Sequence, residues 1–357
     1  MKQSLRIFLL LMLSVCASDA CCENLFKKIP RAVNNFVEKF NDYDTTYIEP
    51  NKYDFAAMVQ STTSTERYTL RTDDGQSISF GPKMRPRIGP YFGWRWIFLG
   101  YTFDVSNPSF GDHSGRKDFD ISFYTNLIGI DLYYRQTGTD YRIREADFGR
   151  GINTRELEGL NFGGLKSGVM GANIYYIFNN NHFSYPAAYS QSTIQRRSAG
   201  SFIAGIGYTH HTLDYDHRKL DSLLLQHGFN PSVMDSTLRI DEVSYSDLNF
   251  SLGYAYNWVP ARNFLLNASL SAAIAIDHIE STYDDDKGRP FWRRAFSNNY
   301  LNIDGLLRLG AVYNNSRWFA GVSYILNAYN FRHSDLKTTN MFGNLNVYIG
   351  FNFHKRK

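Results

Sequence analysis

Leu248-Asn249-Phe250-Ser251-Leu252-Gly253-Tyr254-Ala255-Tyr256-Asn257-Trp258, the turn Val259-Pro260-Ala261-Arg262, and the return run Asn263 to Asp277 decide how this chain folds. Going out, Leu248, Phe250, Leu252, Tyr254, Tyr256 and Trp258 alternate with Asn249, Ser251, Gly253, Ala255 and Asn257. Coming back, Phe264, Leu266, Ala268, Leu270, Ala272, Ile274 and Ile276 alternate with Asn263, Asn267, Ser269, Ser271 and Asp277. A period of two sends successive side chains to opposite faces of a strand, so this is a hairpin with one apolar and one small, polar face. Each run reaches the roughly 9–11 residues of a tilted membrane-spanning strand. In a soluble sandwich the apolar face would point inward. In a transmembrane barrel it points to lipid, and the polar face lines the lumen.

Composition favours the barrel. Aromatic residues make up 16% of the 357, with 27 Phe and 25 Tyr, as barrels need for girdles at both interfaces. The mean hydropathy of -0.37 is that of a soluble protein, but barrel strands dilute each outward apolar residue with an inward polar one. Past the first 20 residues no apolar run approaches the length of a spanning helix. The net charge of +4 is small and dispersed, which leaves no nucleic-acid footprint.

The first 20 residues read as a cleaved secretory signal: Lys2 and Arg6 are basic, Ile7 to Leu13 is apolar, and cleavage after Ala17 or Ala20 fits. Cys16, Cys21 and Cys22 are the only cysteines, so the chain beyond them needs no disulfide framework. Cys21 follows Ser18-Asp19-Ala20, a poor match to a lipidation signal. Residues 21–50 form an N-terminal segment, periplasmic or a plug, in which Leu25, Phe26, Ile29, Val33, Phe36, Val37 and Phe40 recur at helical spacing. Residues 51–354 carry the strands of the barrel.

Further strands are expected at Asn51–Gln60, Pro86–Val105 with a turn near Trp94-Arg95, Asp118–Asn126, Gly129–Arg135, Leu165–Phe178 and Ser201–Thr212. Leu301–Tyr313, Trp318–Leu326 and Met341–Phe353 follow, while Ser61 to Pro86 is weakly patterned. The expected fold is an all-β, antiparallel up-and-down transmembrane barrel of about twelve strands, with ten to fourteen open. Short connections at Trp94-Arg95, Leu127-Ile128, Val259–Arg262 and Asn314–Arg317 alternate with long ones at Ser106–Lys117, Gln136–Gly164, Leu213–Glu242 and Asp277–Ser297. With the short set periplasmic, Trp94, Trp96, Trp258 and Trp318 form one aromatic girdle. Asn179–Gly200 breaks this rule: it should be short and is not.

Four stretches resemble an outer-membrane family of unknown function, domain-of-unknown-function family 4421 of Bacteroidota-type bacteria. They are Asp44-Thr45-Thr46-Tyr47-Ile48-Glu49-Pro50-Asn51-Lys52-Tyr53, Gly93-Trp94-Arg95-Trp96-Ile97-Phe98-Leu99-Gly100-Tyr101, Asp131-Leu132-Tyr133-Tyr134-Arg135 and Phe183-Ser184-Tyr185-Pro186-Ala187-Ala188. The resemblance covers roughly residues 40–354. It implies a barrel and no known activity, so it supplies no catalytic residues.

On this reading Asn249, Ser251, Asn257, Asn267, Ser269, Ser271, Asp304 and Arg308 line the lumen. There Asp304 and Arg308 either tune an open pore or pair across a closed one. The leading expectation is a narrow channel or passive transporter for small solutes in the outer membrane. Its partners are outer-membrane lipids and the barrel assembly machinery, with no nucleic acid, no metal and no cofactor. The alternative is a closed structural or binding barrel working through its outer loops toward an extracellular partner. A third reading, a lipid hydrolase, rests on His182-Phe183-Ser184, since an imidazole two residues from a hydroxyl can activate it. Two further clusters are weak metal candidates: His210, His211, Asp214, Asp216 and His217, and Asp284-Asp285-Asp286. Neighbouring histidines on a strand point to opposite faces, and the acidic triplet lacks the spacing of a calcium loop.

Overall fold

The computed structural model describes residues 43–94, 97–100, 103–104, 117–137, 140–149, 151–240, 242–279, 301–333 and 335–355. All belong to the unit Tyr43–Lys357. The signal, the helical segment of 24–41, Cys21, Trp96 and Asp284-Asp285-Asp286 lie outside the described residues.

The strands in chain order are β1 (Ile48–Pro50), β2 (Tyr53–Thr72), β3 (Ser77–Pro82), β4 (Pro86–Trp94), β5 (Ile97–Gly100), β6 (Phe103–Asp104), β7 (Lys117–Tyr124) and β8 (Ile128–Gln136). β9 (Tyr141–Asp147), β10 (Leu165–Ile177), β11 (Thr193–Gln195), β12 (Ala199–Tyr215) and β13 (Glu242–Ala261) follow. β14 (Phe264–Ile279), β15 (Leu301–Asn314), β16 (Trp318–His333) and β17 (Leu336–Lys355) complete them. Two helices interrupt the pattern, α1 (Tyr185–Tyr189) and α2 (His217–Gln226).

The decisive hairpin forms as its alternation requires: β13 and β14 pair antiparallel from Tyr245↔Ile279 to Asn257↔Asn267 and Trp258↔Leu266. Asn263 turns the chain at φ 70°, a left-handed conformation that Asn tolerates better than most residues. The faces are inverted relative to a water-soluble protein. Leu252, Leu270 and Ile303 are 63%, 66% and 65% exposed, whereas Asn257, Asn267 and Arg308 are 0%, 4% and 3% exposed. Burying such an apolar side chain is worth about 1.5–3 kcal/mol, so a band of them facing water would be a large and unrelieved cost. The outward face is built for an apolar solvent.

The main sheet is antiparallel and ordered β5-β4-β2-β17-β16-β15-β14-β13-β12-β10-β8-β7, with β6 beside β4 and β3 bridging β2 to β9. It curls so that its polar face meets itself. Tyr133 on β8 and Tyr329 on β16 share a hydrogen bond of 2.6 Å although six strand steps separate them. In a flat sheet those steps would span about 29 Å, far beyond two tyrosine side chains. Among the described residues no ladder joins β7 to β5 or β6, the two ends of the order.

The weakly patterned stretch Ser61–Pro86 is a hairpin: β2 continues to Thr72, turns through Gly75, and returns as β3 and β4. β3 leaves the wall to pair with β9, a strand hidden inside the expected long connection Gln136–Gly164. β16 and β17 also outrun their expected bounds and pair up to His333↔Leu336. At this long-connection end, Leu70 and Leu336 from one side of the wall pack with Leu165, Leu213 and Tyr215 from the other. Ile78, Phe80, Ile143, Phe148, Phe162, Leu220, Leu224 and Leu238 are among the others in that core, so an ordinary apolar cap spans the mouth.

Candidate functional site

The enclosed face is filled from one end to the other. At the short-turn end, the segment 178–198 folds inward as a plate. Its α1 starts at Ser184, an N-cap whose Oγ accepts from the Ala187 N–H, with Pro186 in the first turn. The helix delivers two tyrosines to the wall. Tyr185 Oη lies 2.6 Å from Ser269 Oγ, and Tyr189 Oη donates to Asn267 Oδ1 at 2.5 Å. Asn257 Nδ2 donates to Ser184 O and Gln195 Oε1, while Gln191 bridges Tyr348 on β17 and Asn314 on β15. A small separate sheet, β1 with β11, fastens the plate to the stretch that leads into β2.

Arg196 clamps that sheet. Its Nε donates to Glu49 Oε2 at 2.7 Å and its Nη1 to Asn263 Oδ1 at 2.8 Å, while Lys52 Nζ sits 2.7 Å from Glu49 Oε1. Partial burial pushes the Glu49 carboxyl up, but the bonds from Lys52 and Arg196 outweigh it and hold the group below the ordinary glutamate value. Asp44 is also held low, first by the backbone N–H of Thr46.

Midway, Arg308 on β15 reaches across to Asp131 on β8 in a short charge-assisted contact. Its Nη1 donates to Tyr175 Oη at 3.0 Å and Tyr124 Oη at 3.3 Å, and Ser122 Oγ donates to Asp131 Oδ1 at 2.6 Å. Nearer the cap, His211 Nε2 lies 3.3 Å from Asp247 Oδ2, its ring stacked on Tyr245 at 4.6 Å. Glycine makes the crowding possible: a Cβ on Gly171 would lie 2.3 Å from the Tyr133 ring, and one on Gly129 would lie 2.1 Å from that of Tyr175. Beside the Arg308–Asp131 pair lies a cavity of about 50 Å³, lined by Asn173, Asn249, Ser251, Ser271, Asp304 and Asn327.

All eight residues assigned to the inner wall therefore share the enclosed face, seven of them buried and Ser251 on the cavity. Asp304 and Arg308 do not pair with each other. Asp304 accepts from the Asn330 backbone N–H at 2.9 Å, and Arg308 takes Asp131. Sequence reasoning missed Asp131, although it alternates with Ile130 and Leu132 on a short strand and the parity was readable. Trp258 and Trp318 are outward and 51% and 52% exposed at the short-turn end.

The structure does not bring the hydrolase residues together. His182 Nδ1 shares a hydrogen bond of 3.1 Å with Asn179 Oδ1 and its ring packs on Tyr47 at 4.4 Å. Ser184 is buried with its Oγ on Asn126 and Thr193, so no imidazole activates it. His210 and His211 point to opposite faces, His210 to Ser246 Oγ at 2.9 Å and His211 to Asp247. Among the described residues no group of three or more His, Cys, Asp or Glu is placed to hold a metal. Nor is any described helix long and apolar enough to cross a membrane, which leaves crossing by strands untouched.

The family model described as "Domain of unknown function (DUF4421)" matches residues 42–353. The chain belongs to this family. The match takes in the β1–β11 sheet, the wall, the plate and the cap together. A search of curated proteins finds no match. Among solved structures the chain is similar to the outer membrane protease OmpT from Escherichia coli, at 10% identity, covering 85% of this chain and 98% of that one, TM-score 0.36. It is also similar to the COG4313 outer membrane channel from Pseudomonas putida F1, at 9% identity, covering 86% and 98%, TM-score 0.28. The P. putida toluene transporter TodX matches at 9% identity, covering 85% and 91%, TM-score 0.21. Likenesses this slight carry no argument about activity.

Proposed function

We propose that this chain is an outer-membrane β-barrel, closed at rest by its own folded segments, which works as a structural or binding protein through the cap at its long-connection end. One observation carries the reading: the interior is occupied. A water needs about 10–15 Å³ of such space, so the mid-wall cavity of about 50 Å³ beside Arg308 and Asp131 has room for three or four waters. The plate fills one end with hydrogen-bonded tyrosines, the apolar cap core spans the other, and Arg308–Asp131 ties the walls together between them. The outward apolar face supports a lipid surround, and the exported, cysteine-poor sequence supports the outer membrane as its site. Closure of the wall brings the β7 edge to the β5 edge, giving a ring of about twelve strands. Outer-membrane lipids and the assembly machinery are its partners there.

The cap is the part with surface to offer, because it is folded around its own core rather than left as open loops. A channel would need both the plate and the cap to move. The test is conductance of the refolded chain in a planar bilayer, with folding checked by gel mobility before and after heating. The expected result is silence from folded protein. Steady conductance would overturn the closed reading and make the narrow channel the better one.

A further inference from the structure

We propose that the outer wall holds a phosphorylated acyl glycolipid, the phosphate on Arg332, Lys337 and Arg71 of β16, β17 and β2 and the acyl chains on the apolar strip of β16 and β17 below. The three cations form a row by register, since Arg332 pairs with Lys337 across β16 and β17, and Lys337 pairs with Arg71 across β17 and β2. All three face outward. Leu336 and Thr338, on either side of Lys337, are buried, and the Arg332 and Lys337 side chains are 53% and 42% exposed. Asp73 pairs with two members of the row, at 3.0 Å to Arg332 and 2.7 Å to Lys337, which holds their side chains in place. Asp74 and Asp335 lie exposed in the turns above, and Arg71 has no ion-pair partner among the described residues. Asp73, Asp74 and Asp335 equal the cations in number, and within the row it is Arg71 that is left outside an ion pair among the described residues.

Two residue pairs further down, at the next outward position, the chemistry changes. Asn330 and Thr339 face each other, joined by a 3.0 Å hydrogen bond from Thr339 Oγ1. Beyond them β17 presents Met341, Leu345, Val347, Ile349, Phe351 and Phe353 in turn, the last five 38%, 48%, 58%, 41% and 37% exposed. At about 3.4 Å per residue and a tilt near 40°, Met341 to Phe353 spans roughly 30 Å, the thickness of a hydrocarbon core. Along β16 and β17 the wall therefore runs cation, hydroxyl and amide, then hydrocarbon, while β2 beside them keeps Arg67 opposite Met341 and Thr63 opposite Leu345. A phosphorylated, acylated sugar presents the same groups in the same order, and its phosphates complement the cations. A zwitterionic phospholipid lacks the sugar, and a free phosphate has no use for the apolar strip.

This inference rests on the membrane reading above, and the experiment separates the two. The full chain is refolded into phosphatidylcholine bicelles, with and without a trace of bisphosphorylated, acylated glucosamine disaccharide. Retained lipid is read by native mass spectrometry. Failure to insert into plain bicelles would overturn the membrane reading itself. With insertion established, the expected result is selective retention of the phosphorylated glycolipid, reduced at least about tenfold in the Arg71→Gln/Arg332→Gln/Lys337→Gln variant. The variant must still insert, which gel mobility checks. If the dephosphorylated glycolipid is retained equally, or the variant retains as much as the native chain, the site does not exist. Inorganic phosphate in excess should not displace the lipid, and displacement would show a free-anion site instead.

Discussion

Arg308 shows at the scale of one residue how this interior is held. Its guanidinium is removed from water and, among the described residues, is compensated by Asp131 and a ring of tyrosine hydroxyls. Breaking a buried pair by removing one partner typically costs about 3–5 kcal/mol, because the other charge stays buried and unpaired. Asp131→Asn and Arg308→Met are each expected to lose stability on that order in denaturant unfolding from micelles. The double change Arg308→Met/Asp131→Leu is expected to recover most of it. Equal losses in the single and double variants would mean that the pair is not what joins the walls. The sequence placed Arg308 on the inner face but left its partner open, since Asp131 lies far away in the chain and only the curl of the sheet brings it near.

At the scale of the element, the plate is the feature that periodicity could not supply. Residues 178–198 contain one short helix and one short strand, too little for a repeating pattern to mark. Their hold on the wall comes from single side chains such as Tyr185, Tyr189, Gln191 and Arg196. The β1–β11 sheet adds a titratable clasp. Glu49 is depressed in the folded chain, so its contribution is present above the ordinary glutamate value and is lost as pH falls through the depressed one. Hydrogen exchange at the Asn51 and Arg196 amides, which bond to Ser192 O and Tyr47 O, should lose protection on acidification. In Glu49→Gln the protection should be weaker at neutral pH and flat with pH. Unchanged protection across that range in the native chain would remove Glu49 from the clasp.

The whole molecule is a statement about solvent. The polar set is inside and the apolar set outside, so substitutions at adjacent residues should have opposite consequences. Leu252→Arg places a charge on the outward face and is expected to cost assembly about 2–4 kcal/mol near the bilayer midplane, measured as folded fraction in lipid vesicles. Ser251→Asn, on the cavity side, should assemble normally. If Leu252→Arg assembled as well as the native chain, the outward face would not be in lipid. Cap and plate together explain why a wall this polar inside need not conduct. Asn and Ser line the lumen of an open barrel as readily as they satisfy a packed one, so composition alone does not separate the two.

The long strands of the wall, their hairpin order and the faces of the β13–β14 hairpin were legible, because a period of two is a local property that survives any global arrangement, whereas the short β3, β9 and β11 were not. Asn249, Asn257, Asn267, Ser269, Asp304 and Arg308 share a face for that reason alone. The sequence by itself thus determined an antiparallel sheet with inverted faces and short turns at one end. Only the tertiary structure decided what fills it. Arg308 with Asp131, Tyr133 with Tyr329, and Leu70 with Leu213 join residues far apart in the chain, and no local pattern encodes contacts that exist only once the sheet has curled.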